Sequence, residues 1–121
     1  MSVERFTCEM PVPPNGFMGE NIFDIPEDPV VSACSLTFRG NVVPRFQWTW
    51  GKMTSLVAPT IINASTVTSS LTLRATHDMN GARLTCLPIL PTVATSTDDS
   101  LRWTSESVSV RCKHFTYRIV F

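Results

Sequence analysis

Residues 34–86 read CSLTFRGNVVPRFQWTWGKMTSLVAPTIINASTVTSSLTLRATHDMNGARLTC, and this stretch decides the fold. It begins and ends with a cysteine, and Trp48 lies between the two. Apolar and polar residues alternate after Cys34, around Trp48 and before Cys86. Because successive side chains of a β-strand point to opposite faces, this alternation is typical of strands with one buried and one solvated face. The stretch therefore predicts strands rather than helices.

The same alternation recurs along the rest of the chain. The alternating segments are residues 6–10, 34–39, 45–50, 67–75, 83–86 and 108–112. Turn signals follow two of them, at Gly40-Asn41 and Asn80-Gly81. Residues 11–28 form a long connection, called the crossing below, and we predict one short strand within it near Ile22–Ile25. The only helix that the sequence predicts is a single turn at residues 76–79. We therefore predict an all-β fold in which antiparallel sheets pack in two layers.

Composition and charge exclude several classes of function. The 121 residues suit a single domain, 1–121, and a hydrophobic content of 43% is ample for a core. Ten basic and ten acidic residues balance, so no net field attracts nucleic acid or an anionic membrane. No apolar stretch approaches the roughly 20 residues that cross a bilayer. We expect no nucleic-acid binding and no direct membrane contact of this fragment.

Cysteine usage indicates the compartment. Four cysteines in a domain of this size favour an oxidising environment, outside the cytosol. The first residues, Met1 to Arg5, lack the apolar region of a signal peptide. We therefore interpret Met1 as an engineered or processed start and expect an extracellular protein, either secreted or the ectodomain of a membrane protein.

The run SLTLRATHDMNGARLTC at residues 70–86 carries a family resemblance. Together with Cys34 and Trp48 it resembles an immunoglobulin-superfamily domain, and it is similar to second-type domains of nephrin- and nectin-like receptors. The resemblance covers roughly residues 30–112, and the interval from Cys34 to Cys86 fits the short constant-2 or intermediate sets. One departure is Leu84, which stands where the family has the tyrosine of the tyrosine corner. The resemblance implies an immunoglobulin-like two-sheet antiparallel β-sandwich with Greek-key connections.

The resemblance also implies a disulfide arrangement. Cys34 and Cys86 would form the bridge between the sheets, with Trp48 packed on it. Cys8 and Cys112 would then lie in the first and last strands, where a second bridge is geometrically plausible. A rival register, in which residues 106–112 form the sixth strand, pairs Cys34 with Cys112 in a variable-type frame. Residues 1–29 supply a first strand and the long crossing, and residues 113–121 either extend the last strand or begin a linker.

Neither metal binding nor catalysis is expected. His77 and His114 accompany the four cysteines, but the chain has no Cys-x-x-Cys pair of the kind that structural zinc sites use. Asp98 and Asp99 are adjacent, and neighbours on an extended chain point apart. No nucleophile elbow or glycine-rich phosphate loop occurs. We expect no cofactor, no metal site and no enzymatic activity.

Two features point to surface function. Asn63-Ala-Ser65 is an acceptor sequence for N-linked glycosylation. The predicted strands also place a set of residues on a candidate binding face, and Trp103 is included because tryptophan is enriched at interface hot spots. The residues on the face are Arg45, Gln47, Arg83, Thr85 and Trp103. Ile89 and Leu90, an apolar pair in the loop after the predicted strand at residues 83–86, complete the candidate binding residues.

The resemblance therefore implies a non-catalytic extracellular recognition or adhesion module of a cell-surface or secreted protein. Such modules bind other immunoglobulin-like domains or cell-surface receptors, and a homodimer is included in this expectation. Two alternatives stay open at this point. One is a variable-type immune recognition domain that binds ligand through its end loops, and the other is a structural spacer without a ligand of its own.

Overall fold

The computed structural model describes residues 2–14, 21–25, 28–40, 43–89 and 101–112. Strands dominate this part of the chain, and the helical element within it is a 3-10 helix at His77–Met79. The strands are β1 (Ser2–Glu9), β2 (Ile22–Ile25), β3 (Pro29–Arg39), β4 (Arg45–Trp50), β5 (Met53–Val57), β6 (Thr60–Asn63), β7 (Thr66–Arg74), β8 (Leu84–Ile89), β9 (Trp103–Thr104) and β10 (Ser109–Cys112). The predicted short strand and the predicted single helical turn are both confirmed.

Two four-stranded antiparallel sheets form the body of the fold. The first sheet has the order β1-β3-β7-β6, and the second has the order β5-β4-β8-β9. The chain crosses from one sheet to the other between β3 and β4, between β5 and β6, and between β7 and β8. The predicted all-β sandwich is therefore confirmed.

The alternation in the sequence translates directly into burial. Along β3 every second residue from Val30 to Phe38 is buried, and the residues between them are exposed or half-buried. In β4, Phe46 and Trp48 are completely buried, whereas Arg45 is exposed. The two apolar faces meet in one core, and each sheet keeps a solvated outer face.

A tryptophan joins the two sheets at the centre of the core. Trp48 of β4 is fully buried, and its indole Nε1 donates a hydrogen bond of 2.9 Å to the Ser69 hydroxyl on β7 of the opposite sheet. Burying an aromatic side chain of ~200 Å² contributes on the order of 5 kcal/mol, several times the net value of one hydrogen bond. Burial therefore supplies the stability, and the hydrogen bond orients the ring.

A third, two-stranded sheet departs from the predicted antiparallel arrangement. β10 pairs with β2 in parallel, with Ser109 opposite Ile22 and Cys112 opposite Ile25. The Arg111 guanidinium donates a hydrogen bond to the Asp24 carboxylate and reinforces this pairing. Parallel pairing requires a long connection, and the chain between β2 and β10 contains most of the domain.

Residues 103–112 are divided between two sheets. β9 pairs with β8, with Trp103 opposite Cys86, whereas β10 pairs with β2. Ser105 lies at the division and is buried. Its N–H donates to the Leu84 carbonyl, and its hydroxyl accepts from the Leu84 N–H. This bend explains why Trp103 is out of phase with the alternation of β10.

Replacing Ser69 with alanine tests the bond between the sheets. Ser69→Ala leaves the buried indole N–H without an acceptor, so we expect the free energy of unfolding to fall by about 1–3 kcal/mol. Chemical denaturation measures this change. The matched control is Ser70→Ala at the next, exposed position of β7, where we expect a change within about 0.5 kcal/mol. Equal effects of the two substitutions would contradict this role of Ser69.

Candidate functional site

Three of the four cysteines meet inside the sandwich. Cys8 of β1 lies directly opposite Cys34 of β3, their Cα atoms are 4.0 Å apart, and their sulfur atoms form a disulfide. Cys86 of β8 approaches from the opposite sheet as a buried free thiol. The three Sγ atoms all lie within 4.8 Å of one another.

This arrangement differs from the disulfides expected from the family resemblance. The structure joins Cys34 to Cys8, so neither the expected Cys34–Cys86 bridge nor the rival Cys34–Cys112 bridge is present. The expected Cys8–Cys112 bridge is absent for the same reason. The physical cause is register, because Cys8 is the direct cross-strand neighbour of Cys34. Alternation alone does not specify which strands pair.

While Cys8 and Cys34 form a disulfide, the three sulfur atoms do not have the chemistry of a metal centre. Two of them are bonded to each other, and a cysteine binds metal as the thiolate. Burial raises the pKa of the Cys86 thiol from 9.0 to about 12, so Cys86 remains neutral near pH 7. Within the described ranges, no other group of three or more metal-ligating side chains converges.

Disulfide mapping and alkylation test the cluster. We expect non-reducing digestion to yield Cys8 linked to Cys34, and we expect Cys86 of the native protein to resist iodoacetamide at pH 8, where roughly one molecule in ten thousand carries the thiolate. Because the pKa of Cys86 is raised to about 12, its alkylation rate should keep rising with pH above 9, where the rate of an ordinary thiol levels off. Denaturant should make Cys86 reactive at pH 8. Recovery of a Cys34–Cys86 peptide would contradict the observed pairing.

The other candidate site is the outer side of the second sheet. Its residues form three rows, and the members of each row are direct cross-strand neighbours. One row consists of four threonines, one from each strand: Thr54, Thr49, Thr85 and Thr104. The next row contains Leu56, Gln47 and Leu87, and the third contains Arg45 and Ile89. Leu56 is 53% exposed, whereas Leu87 is buried, with 6% of its surface exposed. We call these nine residues the outer face.

The structure brings together four of the residues predicted for binding. Arg45, Gln47, Thr85 and Ile89 all belong to the outer face. Arg83 lies just before β8 and donates a hydrogen bond of 3.2 Å to the Ser105 carbonyl. Leu90 is outside the described residues.

Trp103 is the exception among the predicted binding residues. It lies opposite Cys86, whose side chain is buried in the core, and it packs half-buried against that core. Its place on the outer face is therefore a wrong prediction. The cause is a change of sheet along the chain, because Trp103 belongs to β9 and pairs with β8, whereas residues 109–112 form β10 and pair with β2.

The threonine row contains residues that the sequence reasoning missed. Thr49 follows Trp48 of the core and Thr104 follows the half-buried Trp103, which is the signal that would have placed these two on an outer face. Thr54 has no such signal, because its neighbour Met53 is 58% exposed. Their lateral alignment required the pairing of β4 with β5 and of β8 with β9. That register is a property of the tertiary structure.

The glycosylation sequence is exposed at a turn. Asn63 ends β6, and the chain turns there toward β7. The Asn63 Oδ1 accepts hydrogen bonds from the Ser65 N–H at 2.9 Å and from the Ser65 hydroxyl at 3.2 Å. The side-chain amide is therefore accessible and preorganised by its own acceptor sequence.

Expression in a eukaryotic secretory host tests Asn63. We expect a glycoprotein whose mass decreases on treatment with a peptide N-glycosidase, because the asparagine is exposed and its turn is formed. Asn63→Gln and Ser65→Ala should each remove the glycan, whereas Asn80→Gln, at an exposed asparagine outside any acceptor sequence, should not. An unchanged mass of the wild-type chain after glycosidase treatment would contradict this expectation.

The remaining predicted positions contribute little to a site. His77 is exposed at the start of the 3-10 helix, and His114, Asp98 and Asp99 lie outside the described residues. Across the described ranges, no helix has the length and apolar character needed to traverse a bilayer.

Comparisons with protein-family models, curated proteins and solved structures gave no match for this chain.

Proposed function

We propose that this chain is an immunoglobulin-like, non-catalytic recognition or adhesion module that contacts a protein partner through its outer face. The observation that carries the proposal is the composition of that face, where threonine and aliphatic side chains lie in register across four strands and Arg45 is the only charge among its nine residues. Cores of protein interfaces are similarly depleted of charged residues.

The strand order supports the immunoglobulin-like assignment. Cys34 and Trp48 lie on strands of opposite sheets, and Cys86 neighbours Trp48 in register. The seven-strand pattern of such domains places four strands in one sheet and the third, sixth and seventh in the other. Here β1, β3, β7 and β6 correspond to the first group, and β4, β8 and β9 to the second.

A comparison of the two solvated surfaces favours the second sheet as the contact surface. On the first sheet, Arg5 and Glu9 of β1 point outward, and Arg39 forms an ion pair with Glu4 at the edge. Taking such charges out of water costs free energy unless the partner pairs each of them. The outer face of the second sheet can be covered at a smaller desolvation cost.

The disulfide supports an extracellular location for this module. The Cys8–Cys34 bond is of a kind that persists in oxidising compartments and is rare in the cytosol. Recognition of another ectodomain, or of a second copy, is consistent with such a location.

A charge substitution on the outer face tests the function. The domain is displayed as a multivalent probe against a panel of cell-surface ectodomains that includes the chain itself. We expect binding to at least one member, and we expect Thr49→Arg to weaken it at least tenfold, because a buried guanidinium would lack a partner.

The matched control for this experiment is Thr68→Arg. Thr68 is half-buried like Thr49 and lies in a comparable hydroxyl row, but on the outer side of the first sheet. Thr68→Arg should leave the affinity unchanged. If Thr68→Arg and Thr49→Arg weaken binding equally, or if the probe binds no ectodomain at all, the proposed function is wrong and a spacer role is favoured.

A further inference from the structure

A groove of about 680 Å³ opens between the two sheets at the end where β4 turns into β5. Trp50 and Met53 line it from the second sheet, and Leu73 lines it from the first. Met79 and Ala82, from the segment between β7 and β8, complete its apolar lining. Sites for small organic ligands have volumes of about 300–1,000 Å³ and are mostly apolar, so the groove is large enough to hold such a ligand.

The groove is open because no described strand covers this end of β7. β6 pairs with β7 only between Thr66 and Thr68, so the part of β7 that ends at Arg74 has β3 as its single neighbour among the described strands. On the opposite sheet β5 is an edge strand, and Met53 is 58% exposed. The turn between β4 and β5 depends on Gly51, whose φ of 55° favours glycine.

Three charged side chains accompany the apolar lining. Lys52 and Arg74 are cationic, and Asp78 is anionic. In the part of the chain that the structure describes, none of the three side chains forms an ion pair or a hydrogen bond. Among the described residues, the groove therefore combines an apolar wall with a net positive charge that no neighbouring side chain neutralises.

We propose that this groove binds a small amphipathic carboxylate. The apolar body of the ligand packs against Trp50, Leu73 and Met79, and its carboxylate is held by Lys52 and Arg74. The assignment is independent of the outer face, because none of the groove residues belongs to that face.

The two halves of such a ligand have different roles. Each methylene group that leaves water raises affinity by about fourfold, so the length of the apolar body determines most of the affinity. The cations are exposed, and an exposed ion contact contributes only a few-fold. The positive charge of Lys52 and Arg74 therefore determines which head group is preferred, because it attracts a carboxylate and repels a cationic head group.

Methyl NMR of the full chain tests the proposal with decanoate as the probe. The ε-methyl groups of the methionines are labelled with ¹³C, and the protein is titrated with decanoate at concentrations below micelle formation. We expect the resonances of Met53 and Met79 to shift in a saturable manner, whereas that of Met10, which is outside the groove, should not move. Octanoate should bind roughly 16-fold more weakly, because it lacks two methylene groups.

Head-group analogues and charge variants separate the apolar from the ionic contribution. Decan-1-ol and decyltrimethylammonium should bind more weakly than decanoate. Combining Lys52→Gln with Arg74→Gln should reduce decanoate affinity about tenfold and leave decanol affinity unchanged. Asp78→Asn should raise decanoate affinity, and Arg5→Gln, which removes an exposed cation on β1 of the first sheet, should change nothing.

Two kinds of result would overturn the proposal. The first is the absence of saturable shifts at Met53 and Met79, or equal shifts at all methionines, which indicate no site or nonspecific contact. The second is equal affinity for decanoate and decanol together with no effect of the double variant, which indicates an apolar groove that does not select an anion. Neither result bears on the outer face, whose test depends on Thr49.

Discussion

The contact between the inner faces of the two sheets at Trp48 is the interaction on which the rest of the structure depends. On the first sheet, Cys8, Cys34 and Ser69 lie in one row across three strands. On the second sheet, Trp48 and Cys86 lie in the row that faces it. The indole is completely buried and hydrogen-bonded to Ser69, so a buried polar group is satisfied at the place where the sheets must meet. Burial of the ring holds the two sheets together at this place, and the hydrogen bond orients the indole.

The disulfide has a different mechanical role from the one that the family resemblance implies. It joins β1 to β3 within the first sheet, so it holds the edge strand in register rather than bridging the two layers. Cohesion between the layers then rests on apolar packing and on Trp48. The neutral Cys86 thiol belongs to this packing, since burial raises its pKa to about 12 and a neutral thiol behaves as a small apolar group.

The two proposals rest on the surfaces that the sheets leave uncovered. The second sheet presents threonine and aliphatic rows with little charge, which a partner protein can cover without desolvating many ions. The short β6 leaves a second opening, the groove beside Leu73, where apolar side chains occur together with charges that have no partner among the described residues. A flat surface and a concave one suit different ligands, a protein in the first case and a small molecule in the second. The groove depends on the short β6, and the outer face depends on the register of the strands of the second sheet.

The amino-acid sequence by itself determined most of the strands, the helical turn and the buried side of β3, β4 and β7, because alternation along a strand is a local property that Cys34 to Phe38 display without reference to any partner. It did not predict β5 or β6, neither of which has a buried residue. It also placed Arg45, Gln47 and Thr85 on one surface, to which the structure adds Ile89 by extending β8 to that residue. Only the tertiary structure decided that Cys34 bonds to Cys8, that Trp103 packs against the core and that four threonines align. Each of these depends on which strands pair and in which register, and those pairings join residues distant along the chain, where no local pattern specifies the choice.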